Sequence, residues 1–114
     1  MQDCLFCKII SKEIPAEIVY EDDRTLAFKD IRPAAPAHIL VIPKKHIPTL
    51  VDLQAEDTEL MGHIVFTASR LADKLGLSEE GFRLVSNCKE AGGQTVFHIH
   101  FHLIGGRQLQ WPPG

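Results

Sequence analysis

Residues 97–103 alternate apolar and histidine side chains, and this run constrains the fold more than any other feature of the chain. The segment reads Phe-His-Ile-His-Phe-His-Leu, with histidines at positions 98, 100 and 102. A period of two is typical of a β-strand, because successive side chains of a strand point to opposite faces. We therefore predict a strand over 96–104. It would place three imidazoles on one face, about 6.6–7 Å apart, and turn the other face, Phe97, Ile99, Phe101 and Leu103, towards the core.

The remaining patterns predict an antiparallel α+β fold with five strands, one long helix and a short N-terminal helix. Apolar residues at helical spacing from Leu60 to Leu75, including Val65, predict a long helix over 55–75 with Gly76 as its C-cap. The N-terminal helix is expected over 5–12, ending before Pro15. Further strands are expected at 18–21, 25–30, 38–42 and 82–87. Most connections between them are too short for helical crossovers, so a parallel sheet is not expected.

Length and composition fit one domain, residues 1–114, with a C-terminal tail over 105–114. The formal net charge of -3 does not favour nonspecific binding to nucleic acid, which requires an excess of basic residues. No segment approaches the roughly 20 apolar residues that cross a bilayer, so no membrane partner is expected. Met1 to Ile10 lacks the features of a signal peptide, and three cysteines argue against a disulfide framework. These features together predict a cytoplasmic protein.

Three histidines in register admit two functional interpretations. An HxH run can supply neighbouring nitrogen ligands to a metal, or it can form a nucleophile and acid/base array, because imidazole titrates near neutrality. The preceding loop favours the second. Gly92 and Gly93 allow backbone N–H groups to approach an anion, Gln94 adds an amide and Thr95 adds a hydroxyl. The combination predicts a phosphate cradle beside a nucleophile.

The pair Cys4-x-x-Cys7 leaves three alternatives open from the residues alone. It can contribute metal ligands, form a redox pair, or consist of two small half-buried residues at the start of a helix. A redox role is the weakest of these, because the βαβ context of thioredoxin-like proteins is missing.

At this point the sequence resembles a known family. The run His98-x-His100-x-His102-Leu-Ile is similar to the histidine triad (HIT) signature, in which histidines alternate with apolar residues. The similarity covers nearly the whole chain, including Glu13-Ile-Pro15, the segment 38–43, Gly92-Gly-Gln94 and the ending Trp111-Pro-Pro-Gly114. The chain looks like the Hint branch of histidine triad nucleotide-binding proteins, in the bacterial type that carries an N-terminal CxxC.

This resemblance implies hydrolysis of purine nucleoside 5′-phosphoramidates, including adenylylated lysine, without a metal requirement. It assigns His100 as the nucleophile that forms a covalent nucleotidyl intermediate, with His102 and His38 as flanking catalytic histidines. Asp30 matches the residue that accepts hydrogen bonds from the ribose hydroxyls. The phosphate and leaving-group contacts would be Asn87, Gly93, Gln94, Thr95 and the amide of Val96, besides His100 and His102. The apolar slot for the base would be Leu5, Phe6, Ile9, Phe28, Ile31 and Leu40.

The same resemblance implies a structural zinc ion held by Cys4, Cys7, His46 and His98, and a homodimer in which the sheet continues across a two-fold axis. Three alternatives in function stay open. They are hydrolysis of dinucleoside polyphosphates, a nucleotide-binding or scaffolding protein with incidental catalysis, and a zinc-dependent hydrolase built on the histidine run.

Overall fold

A computed structural model describes residues 3–114, which form one five-stranded antiparallel sheet flanked by helices. The strands, in chain order, are β1 (Ile18–Glu21), β2 (Thr25–Lys29), β3 (Ala37–Pro43), β4 (Phe82–Val85) and β5 (Phe101–Gly105). They lie side by side in the order β1-β2-β3-β5-β4. The helices are α1 (Leu5–Ile10), α2 (Thr58–Lys74) and the single turn α3 (Lys89–Gly92). The predicted α+β class is confirmed, while residues 1 and 2 of the expected domain lie outside the described residues.

β3 is the central strand because its side chains are apolar on both faces. Ile39 and Val41 point to one side and pack in the cluster that contains the buried residues of α2. Leu40 and Ile42 point to the other side and pack against Phe6 of α1. The sheet is therefore covered on both faces, by the long helix on one and by the N-terminal helix on the other.

The long helix is shorter at its start than the apolar pattern predicted. Residues Ala55–Asp57 form a 3-10 turn, in which the Asp57 carboxylate accepts the N–H of Gln54 at 2.9 Å, and the α-helix begins at Thr58. Gly76 follows the helix with a φ of +76°, as expected of a C-capping glycine. Val65, expected on the buried stripe, is 46% exposed. Within 3–114, no helix combines the length and apolar character that a membrane crossing needs.

The predicted strand over 96–104 begins only at Phe101, so His98 and His100 precede β5. Pairing between β3 and β5 ends at Val41 and Phe101. Further along β3, Pro43 has no N–H to donate, and its carbonyl accepts from the His98 side chain at 2.8 Å. Ile99 bonds instead to the carbonyl of Ile47. The segment before Phe101 is thus held by the loop after β3.

The expectation that only the apolar face of this segment is buried was wrong. His98 and His100 are 0% and 5% exposed, because α1 covers the imidazole side, whereas Phe97 is 49% exposed. Ile99 and Leu103 are buried as expected. Two smaller differences follow. The strand expected at 82–87 ends at Val85, and the segment between it and the histidine run contains the helical turn α3.

One carboxylate joins the β1–β2 turn to the long helix. Asp22 accepts the backbone N–H groups of Arg24 and Thr25, both at 2.8 Å, and the hydroxyl of Tyr20 at 2.7 Å. His63 of α2 lies 2.8 Å from the same carboxylate. Burial raises the pKa of Asp22, but these hydrogen bonds outweigh burial and lower the net pKa. The ionised carboxylate therefore stabilises the fold at neutral pH. This stabilisation is lost as the pH falls from the ordinary pKa of an aspartate through the lower pKa of Asp22 in the folded protein.

We predict that Asp22→Ala lowers the free energy of unfolding by about 1–3 kcal/mol, because it leaves several donors without an acceptor. Urea denaturation at pH 7 measures the change. Asp23→Ala is the matched control, since Asp23 is its exposed neighbour. Equal stability of the two variants would contradict the role given to Asp22.

Candidate active site and cysteine–histidine cluster

The ring of His100 is held so that one nitrogen is free. Its Nδ1 lies 2.8 Å from the carbonyl oxygen of His98, and a carbonyl can only accept, so the proton is on Nδ1. Nε2 therefore keeps its lone pair. Burial lowers the pKa of His100, which favours the neutral ring. The result is an imidazole whose Nε2 can attack an electrophile at neutral pH.

His38 and His102 are linked ring to ring, and their protons can also be assigned. The backbone N–H of Ala34 donates to His38 Nδ1 at 3.0 Å, so the His38 proton is on Nε2. That nitrogen lies 2.9 Å from His102 Nδ1, which must accept, and the His102 proton is therefore on its Nε2. Burial, followed by the neighbouring His100 and His38, lowers the pKa of His102 to about 4. His102 is thus neutral and carries a proton on its second nitrogen.

Asp30 follows the end of β2 and reaches the same group. One carboxylate oxygen, Oδ1, accepts the N–H of Arg32 at 2.8 Å, and the other, Oδ2, lies 3.4 Å from His38 Nε2. The side chain is half-buried, so Oδ2 keeps room for a hydroxyl donor. The ribose contact that the resemblance implies for Asp30 stays a prediction.

Four of the six residues expected to line the base slot come together. Phe6, Ile9, Phe28 and Leu40 belong to one buried cluster, with Val96 packed against it. The ring of Phe6 contacts Phe28 edge-on at 5.5 Å and His100 at 5.0 Å between ring centroids. Leu5 and Ile31 lie outside the cluster, at 43% and 91% exposure. The apolar wall next to the nucleophile is thus built around Phe6.

The glycine-rich loop supplies two free backbone donors and one structural amide. Gly93 adopts a φ of +86°, a conformation that favours glycine, and ends α3. Gln94, expected to contact phosphate, is buried, and its amide bonds to the backbone of Lys89, Pro48 and Val96 at 2.7–3.0 Å. Among the described residues, the N–H groups of Thr95 and Val96 donate to no backbone carbonyl or side chain. Thr95 and Val96 are therefore the candidate donors to a phosphate, and Gln94 supports the loop that carries them.

Two further residues touch the histidines and were missed from the sequence. Ser86 Oγ donates to the carbonyl of His100 at 2.9 Å, next to the expected phosphate contact Asn87, which is half-buried. Ala34 contributes only its backbone N–H to His38, so its residue type carries no signal. A serine two residues before a cysteine in a turn-prone segment gives equally little indication of its partner.

Cys4, Cys7, His46 and His98 converge on one point, as the resemblance implied. The two sulfur atoms lie 3.3 and 3.7 Å from His98 Nδ1, Cys7 Sγ lies 3.4 Å from His46 Nδ1, and the two Nδ1 atoms are 3.2 Å apart. Zn²⁺ binds sulfur at about 2.3 Å and nitrogen at about 2.0–2.1 Å, which places tetrahedral ligands roughly 3.3–3.8 Å apart. The spacing of the four ligand atoms matches a tetrahedral zinc site.

Protonation within this cluster also suits a metal. His98 Nε2 donates to the Pro43 carbonyl at 2.8 Å, which leaves the lone pair on the Nδ1 that faces the cysteines. Burial lowers the pKa of His98 to about 4, so the ring is neutral. Without a cation, burial and the hydrogen bond with Cys4 raise the pKa of Cys7 to about 11. A divalent cation would supply the positive charge that two thiolates need.

A second group of metal-ligand residue types, Asp30, His38 and His102, does not fit a metal. Its candidate ligand atoms lie within 4.8 Å of one another. However, the Ala34 N–H occupies His38 Nδ1, so a neutral His38 must carry its proton on Nε2, the atom that faces the other two residues. A metal there would require the imidazolate. This group is therefore a hydrogen-bonded chain and not a cation site.

Comparison with known proteins agrees with this fold. The HIT domain model matches residues 11–109, and the chain belongs to this family. An uncharacterized HIT-like protein of Synechococcus elongatus is 56% identical over 99% of this chain and 98% of its own length. The crystal structure of a HIT family hydrolase from Legionella pneumophila superposes with a TM-score of 0.97, at 58% identity, covering 98% of this chain and 100% of that one. A histidine triad nucleotide-binding protein from Candida albicans gives a TM-score of 0.83 at 34% identity, covering 96% and 83%.

Proposed function

We propose that the protein hydrolyses purine nucleoside 5′-phosphoramidates through a covalent nucleotidyl–His100 intermediate. The observation that carries this proposal is the hydrogen bond from His100 Nδ1 to the His98 carbonyl, which leaves the lone pair on Nε2 free for attack. The N–H groups of Thr95 and Val96, which donate to no other group among the described residues, are available to a phosphate. The likeness to a HIT family hydrolase and to a histidine triad nucleotide-binding protein supports hydrolysis of a nucleotide. The preference for a P–N bond comes from the resemblance to the Hint branch.

Binding would use the three surfaces already described. The base packs on the apolar wall around Phe6, a ribose hydroxyl donates to Asp30 Oδ2, and the α-phosphate accepts from the N–H groups of Thr95 and Val96. Backbone N–H groups stabilise the negative charge that develops on phosphoryl oxygens without the help of side-chain cations.

In the first step, His100 Nε2 bonds to phosphorus as the P–N bond breaks. The departing amine must gain a proton, which the substrate brings on its bridging nitrogen, so that the P–N bond breaks to release a neutral amine. His102, which is neutral, keeps its proton and donates a hydrogen bond from Nε2–H to the reacting phosphoryl group. In the second step, water attacks phosphorus and loses a proton to solvent, and His100 leaves as the neutral imidazole. The hydrogen bond from His100 Nδ1 to the His98 carbonyl stabilises the positive charge on the intermediate.

We predict that wild-type protein releases amine from a fluorogenic adenosine 5′-phosphoramidate and that His100→Ala reduces the turnover by about 10³-fold or more, because the covalent route is lost. Activity should survive EDTA. His63→Ala serves as the control, since it removes an imidazole that bonds to Asp22. Equal rates for wild type and His100→Ala would contradict the nucleophile, and faster cleavage of a dinucleoside polyphosphate would contradict P–N specificity.

We also propose a structural zinc ion bound by Cys4, Cys7, His46 and His98. The matching ligand spacing and the free Nδ1 of His98 support it. The ion would join α1 to the loop that precedes β5 and take no part in the reaction. Thiolate ligands need a reducing compartment, so this proposal agrees with the cytoplasmic location expected from the sequence.

For this site we predict one zinc ion per chain by elemental analysis of protein purified without chelator. The double variant Cys4→Ser/Cys7→Ser should lose the ion and show a lower Tm, because a structural site contributes directly to folding. Cys88→Ser should keep both the ion and the Tm, since Cys88 is not part of the cluster. Wild-type protein that contains no zinc and gains none on titration would refute this site.

We further propose that two copies associate through β4 and α2. β4 is an edge of the sheet, and Leu84 packs in the same cluster as Ile64 and Ala68 of α2, so the strand and the helix are neighbours. Gly62 lies in the middle of α2, where glycine costs about 1 kcal/mol relative to alanine. A Cβ built at Gly62 meets nothing within 4 Å in one copy. A second helix approaching closely would explain this glycine, and pairing of two β4 strands would remove the open edge.

Light scattering should then give twice the 12.7 kDa chain mass for wild type. Gly62→Trp should give the monomer mass, because the side chain fits one copy but blocks the approach of the second. Glu59→Trp is the control and should leave the dimer mass unchanged, because Glu59 of α2 pairs with Arg24 of the same chain. A wild-type monomer, or a dimer that tolerates Gly62→Trp, would contradict the interface.

A further inference from the structure

The loop 30–36, between β2 and β3, fixes the proton on His38 but has little structure of its own. It contains two prolines, which have no N–H, and Ile31 is 91% exposed. Its link to the side chain of His38 on the Nδ1 side is the N–H of Ala34, which donates at 3.0 Å. Together with the Asp30 carboxylate, 3.4 Å from Nε2, the Ala34 amide places the His38 proton on Nε2.

The C-terminal segment holds this loop in place. Arg107 donates to the carbonyl oxygen of Ala34 through Nε at 3.1 Å and through Nη2 at 2.9 Å. Next to it, Gly106 has a φ of +96°, and a Cβ there would lie 2.9 Å from Cβ of Pro36. The segment after β5 thus packs directly on the loop, and the guanidinium bonds to Ala34, whose amide reaches the ring of His38.

We propose that Arg107 is a positioning residue for the triad, which acts through Ala34 on the tautomers of His38 and His102. This inference rests on the proposed function of the same site. The chain of contacts runs from the guanidinium to the Ala34 carbonyl, from the Ala34 N–H to His38 Nδ1, and from His38 Nε2–H to His102 Nδ1. Arg107 itself touches neither ring.

Withdrawal of the Ala34 N–H changes the protons on both rings. His38 Nδ1 can then carry the proton, and His38 Nε2 becomes an acceptor. Two acceptors would face each other across 2.9 Å, so His102 Nδ1 must gain the proton and its Nε2 loses it. The hydrogen bond that His102 Nε2–H offers to the reacting phosphoryl group is then lost.

The test is an NMR measurement of ring tautomers, by two-bond ¹H–¹⁵N correlation on histidine-labelled, full-length protein without substrate, combined with steady-state kinetics. Wild type should show the Nε2–H form of His38 and His102. Arg107→Met should populate the Nδ1–H form of both rings and lower kcat by about tenfold, with KM within about twofold, because the hydrogen bond from His102 Nε2–H to the reacting group is lost while nucleotide binding is kept. Arg107→Lys, which retains one donor for the Ala34 carbonyl, should restore most of the wild-type tautomer and rate.

Two further variants separate this role from general support of the fold. Arg83→Met removes a comparable contact to the C-terminal segment, the bond from Arg83 to the Gln110 carbonyl at 2.8 Å, and should leave both tautomers unchanged. Ala34→Pro removes the amide hydrogen itself and should reproduce the tautomer change of Arg107→Met. The inference is overturned if Arg107→Met keeps the wild-type tautomers, whether or not kcat falls. A wild-type protein that does not cleave phosphoramidates would refute the proposed function, while the tautomers would still decide the role of Arg107.

Discussion

A neutral imidazole has one lone pair and one proton, and in this protein the hydrogen bond made by one ring nitrogen determines what the other can do. The carbonyl of His98 places the His100 proton on Nδ1, the carbonyl of Pro43 places the His98 proton on Nε2, and the amide of Ala34 places the His38 proton on Nε2. All three partners are backbone groups. Burial keeps His98, His100 and His102 neutral by disfavouring the charged ring. The backbone groups next to each ring thus determine which nitrogen can act as nucleophile, as metal ligand or as hydrogen-bond donor.

Much of the fold could be predicted from the sequence because its signals are local. The alternation around His100 and the helical stripe of α2 each reflect the repeat of one element. The stripe placed the helix to within three residues, whereas the alternation placed the end of β5 but set its start five residues too early. The start of β5 could not be predicted, since it depends on Pro43, a residue on another strand that lacks an N–H. The burial of the imidazole face had no local signal either, because α1 comes from the opposite end of the chain.

In the site, too, the residue types could be predicted from the sequence, but their hydrogen-bond partners could not. The histidines and the cysteine pair were identified because their chemistry restricts their use, and the structure brings each group together. Gln94 was assigned to phosphate because an amide beside two glycines resembles an anion donor, yet one of its partners is the Pro48 carbonyl, 46 residues away. Arg107 gave no signal, since its contact with Ala34 spans 73 residues and ends on a carbonyl that every residue possesses. Sequence patterns indicate which side chains are reactive, but not which backbone atoms orient them.

His98 contributes to the site twice, and its two contributions can vary independently. Its imidazole faces the cysteines, while its main-chain oxygen orients His100. The oxygen is present whatever the side chain, so the nucleophile requires only that the backbone keep its path at this position. A lineage could therefore lose the cysteines and exchange the first histidine of the run without altering the chemistry of the second, provided that apolar packing replaced the crosslink. The side chain of the first histidine therefore reports on how the N-terminal helix is attached to the sheet, whereas the side chain of the second reports on the reaction.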